Sequence, residues 1–140
     1  MKKELRDKVY QKYKGHCGYC GEKIELKNMQ VDHIIPKRSF VSFIMFAKFH
    51  FDKQNRVPIW LKHLEPEDID HIDNLMPACR VCNNWKSANG IELFRSEIFE
   101  QVNRLNKYSS NYRMAKKYNL VQETTMPIVF YFEKFSDKNV

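Results

Sequence analysis

Glycine is scarce in this chain of 140 residues: there are four, and three of them stand at 15, 18 and 21, around a single cysteine pair. No stretch approaches the roughly 18 consecutive apolar residues of a membrane span. The opening "MKKELRDKVY" alternates charged and apolar positions and lacks the apolar core of a secretory signal. A cytoplasmic, reducing setting with no membrane partner is therefore expected. There is no internal repeat, low-complexity tract or dividing linker, and the length suits one domain over 1–140. Lys and Arg are missing altogether from "LEPEDIDHID" at 64–73, where five acids gather.

Elsewhere cations dominate. The net charge is +7, with six cations against two acids in residues 1–16 and eight against three in 76–118. Such asymmetry suits a polyanionic partner, nucleic acid first. Solvated surface charge is the bland alternative. Hydrophobic residues make up 43% of the chain, which is enough for a real core.

The four cysteines form two pairs, "CGYC" (Cys17, Cys20) and "CRVC" (Cys79, Cys82). Two residues between thiols let a tight knuckle aim both sulfurs at one tetrahedral centre, and four thiolates make a closed structural zinc site. Disulfides do not suit a chain lacking a secretory signal. One such pair alone would fit a redox site, but two favour zinc. His16 adjoins Cys17, yet four thiolates already complete the tetrahedron. Between Cys20 and Cys79 lie 58 residues, far more than in a compact zinc ribbon. The metal is then a clamp around a functional insert, and it removes loop-closure entropy from the unfolded chain.

Along the chain, "KKELRDKVYQKYKG" predicts a first helix, with Leu5, Val9 and Tyr13 on one face and Gly15 as its stop. "KIELKNMQVDHII" predicts a hairpin or two short strands, ended by Pro36. Phe40, Phe43, Phe46 and Phe49 recur every third residue in a stretch expected to pack on the domain as a satellite cluster. A short helix is expected at "VPIWLKHL" and a short strand over Leu75 to Pro77. "GIELFRSEIFEQVNRLNKY" predicts one helix whose buried stripe is Ile91, Phe94, Ile98, Val102 and Leu105. Another helix follows with Ser110 as its N-cap, and "MPIVFYFEKF" predicts a terminal strand.

"VDHIIPKR" at 31–38 is the anomaly. Val31, Ile34 and Ile35 are core material, but Asp32 and His33 are not. Adjacent strand residues point to opposite faces, so something must draw this acid and imidazole together, as a metal ion or a charged substrate could. Histidine exchanges protons near neutral pH, as a general base must. Lys37, Arg38, Arg80 and Lys86 are the nearest cations and the expected phosphate contacts. The acidic run is expected to face away from a bound duplex or to gate it. Trp85 is expected to pack under the knuckle rather than stack on a base.

Taken in order, "CGYC", "VDHIIPK", "DNLMPAC" and "CRVCNNWK" resemble the HNH endonuclease family over residues 17–86. The resemblance implies an α+β fold with a ββα-metal core over 17–90 and a four-cysteine structural zinc. A Phe-rich insert at about 39–72 separates the core strands, and an extension with helices and a C-terminal strand covers 91–140. The core helix would start at Cys82 or Asn83. The motif positions fall on His33, Asn74 and Asn83, an H-N-N variant in which Asn replaces the last His.

The resemblance further implies a DNA endonuclease with His33 as general base. Asp32 and Asn83 would hold a divalent cation, and Asn74 would hydrogen-bond the loop after the first strand and so orient His33. An all-oxygen pair of carboxylate and amide favours Mg2+ or Mn2+ over Zn2+. One site cuts one strand, so a double-strand break calls for a homodimer, a host-complex partner or two successive cuts. The alternatives are a zinc-stabilised nucleic-acid-binding module without activity, and an interaction protein that uses the Phe-rich insert.

Overall fold

The computed structural model describes residues 1–37 and 57–136. The Phe40–Phe49 stripe and Arg38 lie outside the described residues. The fold is α+β, with helices around a two-stranded antiparallel sheet among the described residues. No helix among the described residues is long and apolar enough to cross a membrane.

Helix α1 spans Lys3–Gln11 and buries Val9. It ends where Lys14 and Gly15 adopt positive φ, 52° and 81°. Its cations lace the fold together. Arg6 donates to the carbonyls of Leu26 (2.9 Å) and Met29 (2.6 Å), and Lys12 to those of Ile72 (3.0 Å) and Leu75 (2.6 Å). Helix α1 therefore ties the approach to the first strand to the approach to the second.

Strand β1 is Gln30–His33 and β2 is Leu75–Ala78, with Asp32 opposite Met76 and His33 opposite Leu75. The expected hairpin before Asp32 is absent among the described residues. A 3-10 turn at Leu26–Asn28 and a single bridge between His16 and Lys23 stand there instead. Beyond His33 the chain bends at Ile34 and Ile35.

Helix α2, Arg80–Lys86, follows β2 directly. It begins earlier than Cys82 because Cys79 caps it: the Cys79 sulfur accepts the Cys82 amide at 3.4 Å. The helix expected over 90–108 is two helices, α3 (Ile91–Phe99) and α4 (Gln101–Tyr108). Only the first half of the stripe is core. Ile91 and Phe94 are buried, while Val102 and Leu105 are exposed, since α4 packs on α5 (Ser110–Lys117). Ser109, not Ser110, caps α5 by accepting the Tyr112 amide at 3.1 Å.

The expected C-terminal strand is a turn at Tyr131 and Phe132 leading into a short helix α6, Glu133–Ser136. Its backbone bonds go elsewhere: the amides of Tyr131 and Phe132 donate to the carbonyls of Tyr19 (2.9 Å) and Gly18 (2.8 Å). Phe130 and Phe132 stand edge-on to the Tyr19 ring, with Phe94 beside them, at centroid distances of 5.4, 6.2 and 5.4 Å. Burial of each such ring contributes about 1.5–3 kcal/mol. The C-terminal segment therefore closes over the first cysteine knuckle.

The segment from Val57 returns to the same core through Val57, Leu61 and Leu64, so it is not a satellite of it. Pro58 opens a 3-10 turn, Ile59–Leu61, instead of a helix. Further 3-10 turns at Pro66–Asp68 and Ile72–Asn74 carry the acidic run into β2.

Candidate metal centre and candidate active cleft

The sulfurs of Cys17, Cys20, Cys79 and Cys82 all lie within 4.8 Å of one another. Those of Cys20 and Cys79 are 3.9 Å apart, and all four thiols are free. That separation is far beyond the ~2.05 Å of a disulfide. It sits near the ~3.8 Å edge of a tetrahedron with bonds of about 2.3 Å to zinc. The cluster could hold a structural metal ion such as zinc.

Local sequence makes it possible. Gly18 lets the knuckle press on β2: its amide donates to the Pro77 carbonyl at 2.8 Å, and a Cβ there would run into the Met76 sulfur. Gly21 takes φ 79°, closing the turn back onto the Cys17 carbonyl. The sulfurs compete for charge. A hydrogen bond with Cys82 lowers Cys17 to about 4, and the same contact raises Cys82. Burial raises Cys20 to about 11. A divalent cation is the partner that lets all four ionise together. His16 stands apart, with Nδ1 3.0 Å from the Tyr13 carbonyl.

Tyr19, between the first two cysteines, links this centre to Asp32. Its hydroxyl donates to Asp32 Oδ2. Lys86, fully buried at the end of α2, places Nζ 3.0 Å from Oδ2 and 3.2 Å from Oδ1 of Asp32, and donates to the His33 carbonyl at 2.9 Å. Burial raises the Asp32 pKa and lowers that of Lys86, outweighing their mutual attraction in both cases. Burial, and then the Asp32 charge, hold the Tyr19 hydroxyl well above its ordinary range, so it remains a donor.

Lys86 is therefore not an exposed phosphate contact. Its ammonium is consumed inside the protein, where an unpaired carboxylate would be costly. Trp85 beside it is 51% exposed, so it is not enclosed beneath the knuckle.

His33 closes β1 on the outer side. Its Nε2 lies 2.8 Å from Asp70 Oδ1. The acidic run thus turns one member, Asp70, toward the imidazole. Asn74 is buried between the two segments. Its Oδ1 accepts the Ile35 amide at 2.8 Å, while Nδ2 donates to the carbonyls of Ile35 (3.3 Å) and Ile69 (3.0 Å). His71 is a cap: its Nδ1 accepts the Asp73 amide at 3.2 Å.

Asp32, His33, Lys37, Asn83 and Ser87 line one open cleft of about 270 Å³. A carboxylate oxygen carries two lone pairs. Among the described residues, Asp32 Oδ1 accepts from Lys86 and Oδ2 is met by both Tyr19 and Lys86. Carboxylate and amide oxygens, the donor types that Asp32 and Asn83 bring to the cleft lining, are the hard ligands that Mg2+ or Mn2+ takes. Lys37 and Arg80 are exposed. Sequence reasoning missed Tyr19 and Asp70. Tyr19 reads as filler between cysteines, and Asp70 is one acid among five. No family model, curated protein or solved structure matches the chain.

Proposed function

We propose that this chain is a metal-dependent DNA endonuclease of the HNH type, built on a ββα-metal core. What carries the reading is the convergence of Asp32, His33 and Asn83 on one cleft. That cleft lies at the end of a β-β-helix run whose outer frame is the cysteine cluster. The order of elements, β1, β2 and α2, supports the core assignment.

In this reading His33 takes a proton from the attacking water as its oxygen closes on phosphorus and the bond to the 3′ oxygen breaks. Asp32 and Asn83 would hold Mg2+ or Mn2+, which supplies charge neutralisation at the phosphate and the departing oxygen. Asn74 fixes the Ile35 loop and with it the direction of the imidazole. Lys37 and Arg80 position the phosphate backbone without reading bases. Four thiolates hold a structural zinc that frames the site.

A second reading, a zinc-stabilised nucleic-acid-binding module without activity, has one observation in its favour: Lys86 already neutralises the Asp32 carboxylate. A supercoiled-plasmid assay separates the two. The nuclease reading expects nicking with Mg2+ or Mn2+ and a drop of about 10²–10⁴ in rate for His33→Ala with DNA binding retained. A wild type that binds the plasmid but cuts it with none of the metals leaves the binding module.

A further inference from the structure

We infer that Asp70 is a positioning residue for His33, selecting which imidazole nitrogen meets the water. This rests on the nuclease reading above. With Nε2 held 2.8 Å from Asp70 Oδ1, the carboxylate accepts the Nε2 proton. Nδ1 is then the nitrogen with a free lone pair, and it is the proton acceptor in the reaction. A histidine has two neutral tautomers, and which one exists is set by the hydrogen bond made by the other nitrogen.

The contact is built into the fold rather than left to a loose side chain. Asn74, fully buried, hydrogen-bonds Ile35 on one side and Ile69 on the other. Ile35 is two residues after His33, and Ile69 immediately precedes Asp70. One amide therefore clamps together the two segments that carry imidazole and carboxylate. The turn before Asp70 is itself fixed, since the Asp68 side chain accepts the Glu65 amide at 2.8 Å and the His71 amide returns to the Asp68 carbonyl at 2.9 Å. Asp70 and Asp32 therefore do different work. Asp32 is pinned from beneath by Tyr19 and Lys86, whereas Asp70 approaches the imidazole from the solvent side.

During the reaction the water proton moves to Nδ1, leaving an imidazolium whose Nε2 proton stays hydrogen-bonded to Asp70. No proton passes to the carboxylate. The acid stabilises the transient cation and holds the ring plane.

The test pairs kinetics with a spectroscopic reading. Wild type, His33→Ala, Asp70→Ala and Asp70→Glu are compared on plasmid at saturating Mg2+. The proteins carry ¹⁵N-histidine, and His33 is assigned from the spectrum lacking it. The side chain of Asp70 is 61% exposed, so its removal spares the fold. Asp70→Ala is expected to lower kcat about tenfold to a hundredfold with KM unchanged, and to convert a single Nε2–H tautomer at His33 into a mixture. Asp70→Glu is expected to recover part of both.

A wild-type kcat or an unaltered tautomer in Asp70→Ala overturns the inference while His33-dependent cutting keeps the nuclease reading. If wild type does not cut, the nuclease reading and the catalytic role of Asp70 fall together. The tautomer then reports only whether the pair holds the ring.

Discussion

Asp32 and His33 are neighbours in sequence and opposites in setting. Asp32 is 5% exposed and is met by a tyrosine hydroxyl and an ammonium that is itself cut off from water. His33 is met by an acid that remains mostly in solvent. The floor of the cleft is thus tied to the fold, and the acid at its rim to solvent. Charge at the floor is strongly coupled to stability, because every partner lost leaves an unsolvated ion. Charge at the rim is screened, and its ion pairs are worth little to the fold.

The sharpest way to break this division is at the cysteine cluster, which carries the floor. Structural zinc sites contribute apparent binding energies of about 10–16 kcal/mol, comparable with the whole stability of a domain at about 5–15 kcal/mol. Cys79→Ser is therefore expected to lose the metal and the cooperative unfolding transition together. Metal analysis of the purified protein, expected near one zinc per chain for wild type, and thermal unfolding by circular dichroism check this. A Cys79→Ser protein with a full metal complement, or an unchanged transition without metal, removes the clamp from the account.

Next in size is Lys86. Lys86→Met leaves Asp32 buried beside Tyr19 with its cation gone, at an expected cost of about 3–5 kcal/mol in urea unfolding. Removing all three polar members together (Tyr19→Phe, Asp32→Leu, Lys86→Met) is expected to recover most of that loss. The reason is in the pKa directions: burial outweighs the partner for both Asp32 and Lys86, so both charges are held at a cost. His33→Ala at the rim is expected to change stability far less. Equal costs for Lys86→Met and His33→Ala would erase the distinction between floor and rim.

The same division explains what was legible in the sequence. The cysteine pairs could be read because each is local and the chemistry of a thiolate centre needs that spacing. The two strands were legible because short apolar runs mark them, whereas Asn74 was singled out only through the resemblance that "DNLMPAC" carries. Lys86 was misread because a cation closing an exposed helical turn looks like surface, and its partner lies 54 residues upstream. Asp70 was hidden for the same reason, 37 residues from His33 and indistinguishable by type from its acidic neighbours. The aromatic C-terminus has strand propensity, but its amides are taken by Gly18 and Tyr19 carbonyls, a tertiary choice that propensity does not encode. The even stripe over 91–105 stops being core at α4 because the core ends there, not because the periodicity does.

The smallest effect sets one lysine against another. Lys37 is exposed at the cleft mouth, whereas Lys86 is sealed beneath it. A cation that contacts a phosphate releases a counterion, so each contributes about 0.9 to the slope of log K against log salt on duplex DNA. Lys37→Ala is expected to reduce that slope by about one, measured by fluorescence anisotropy on a short duplex, with stability within about 0.5 kcal/mol of wild type. Lys86 makes no such contact, so a Lys86→Met protein that still folds is expected to keep the wild-type slope while unfolding at lower urea. If instead Lys37→Ala leaves the slope unchanged and Lys86→Met lowers it, DNA approaches from a different face, and the cleft is not where the phosphate sits.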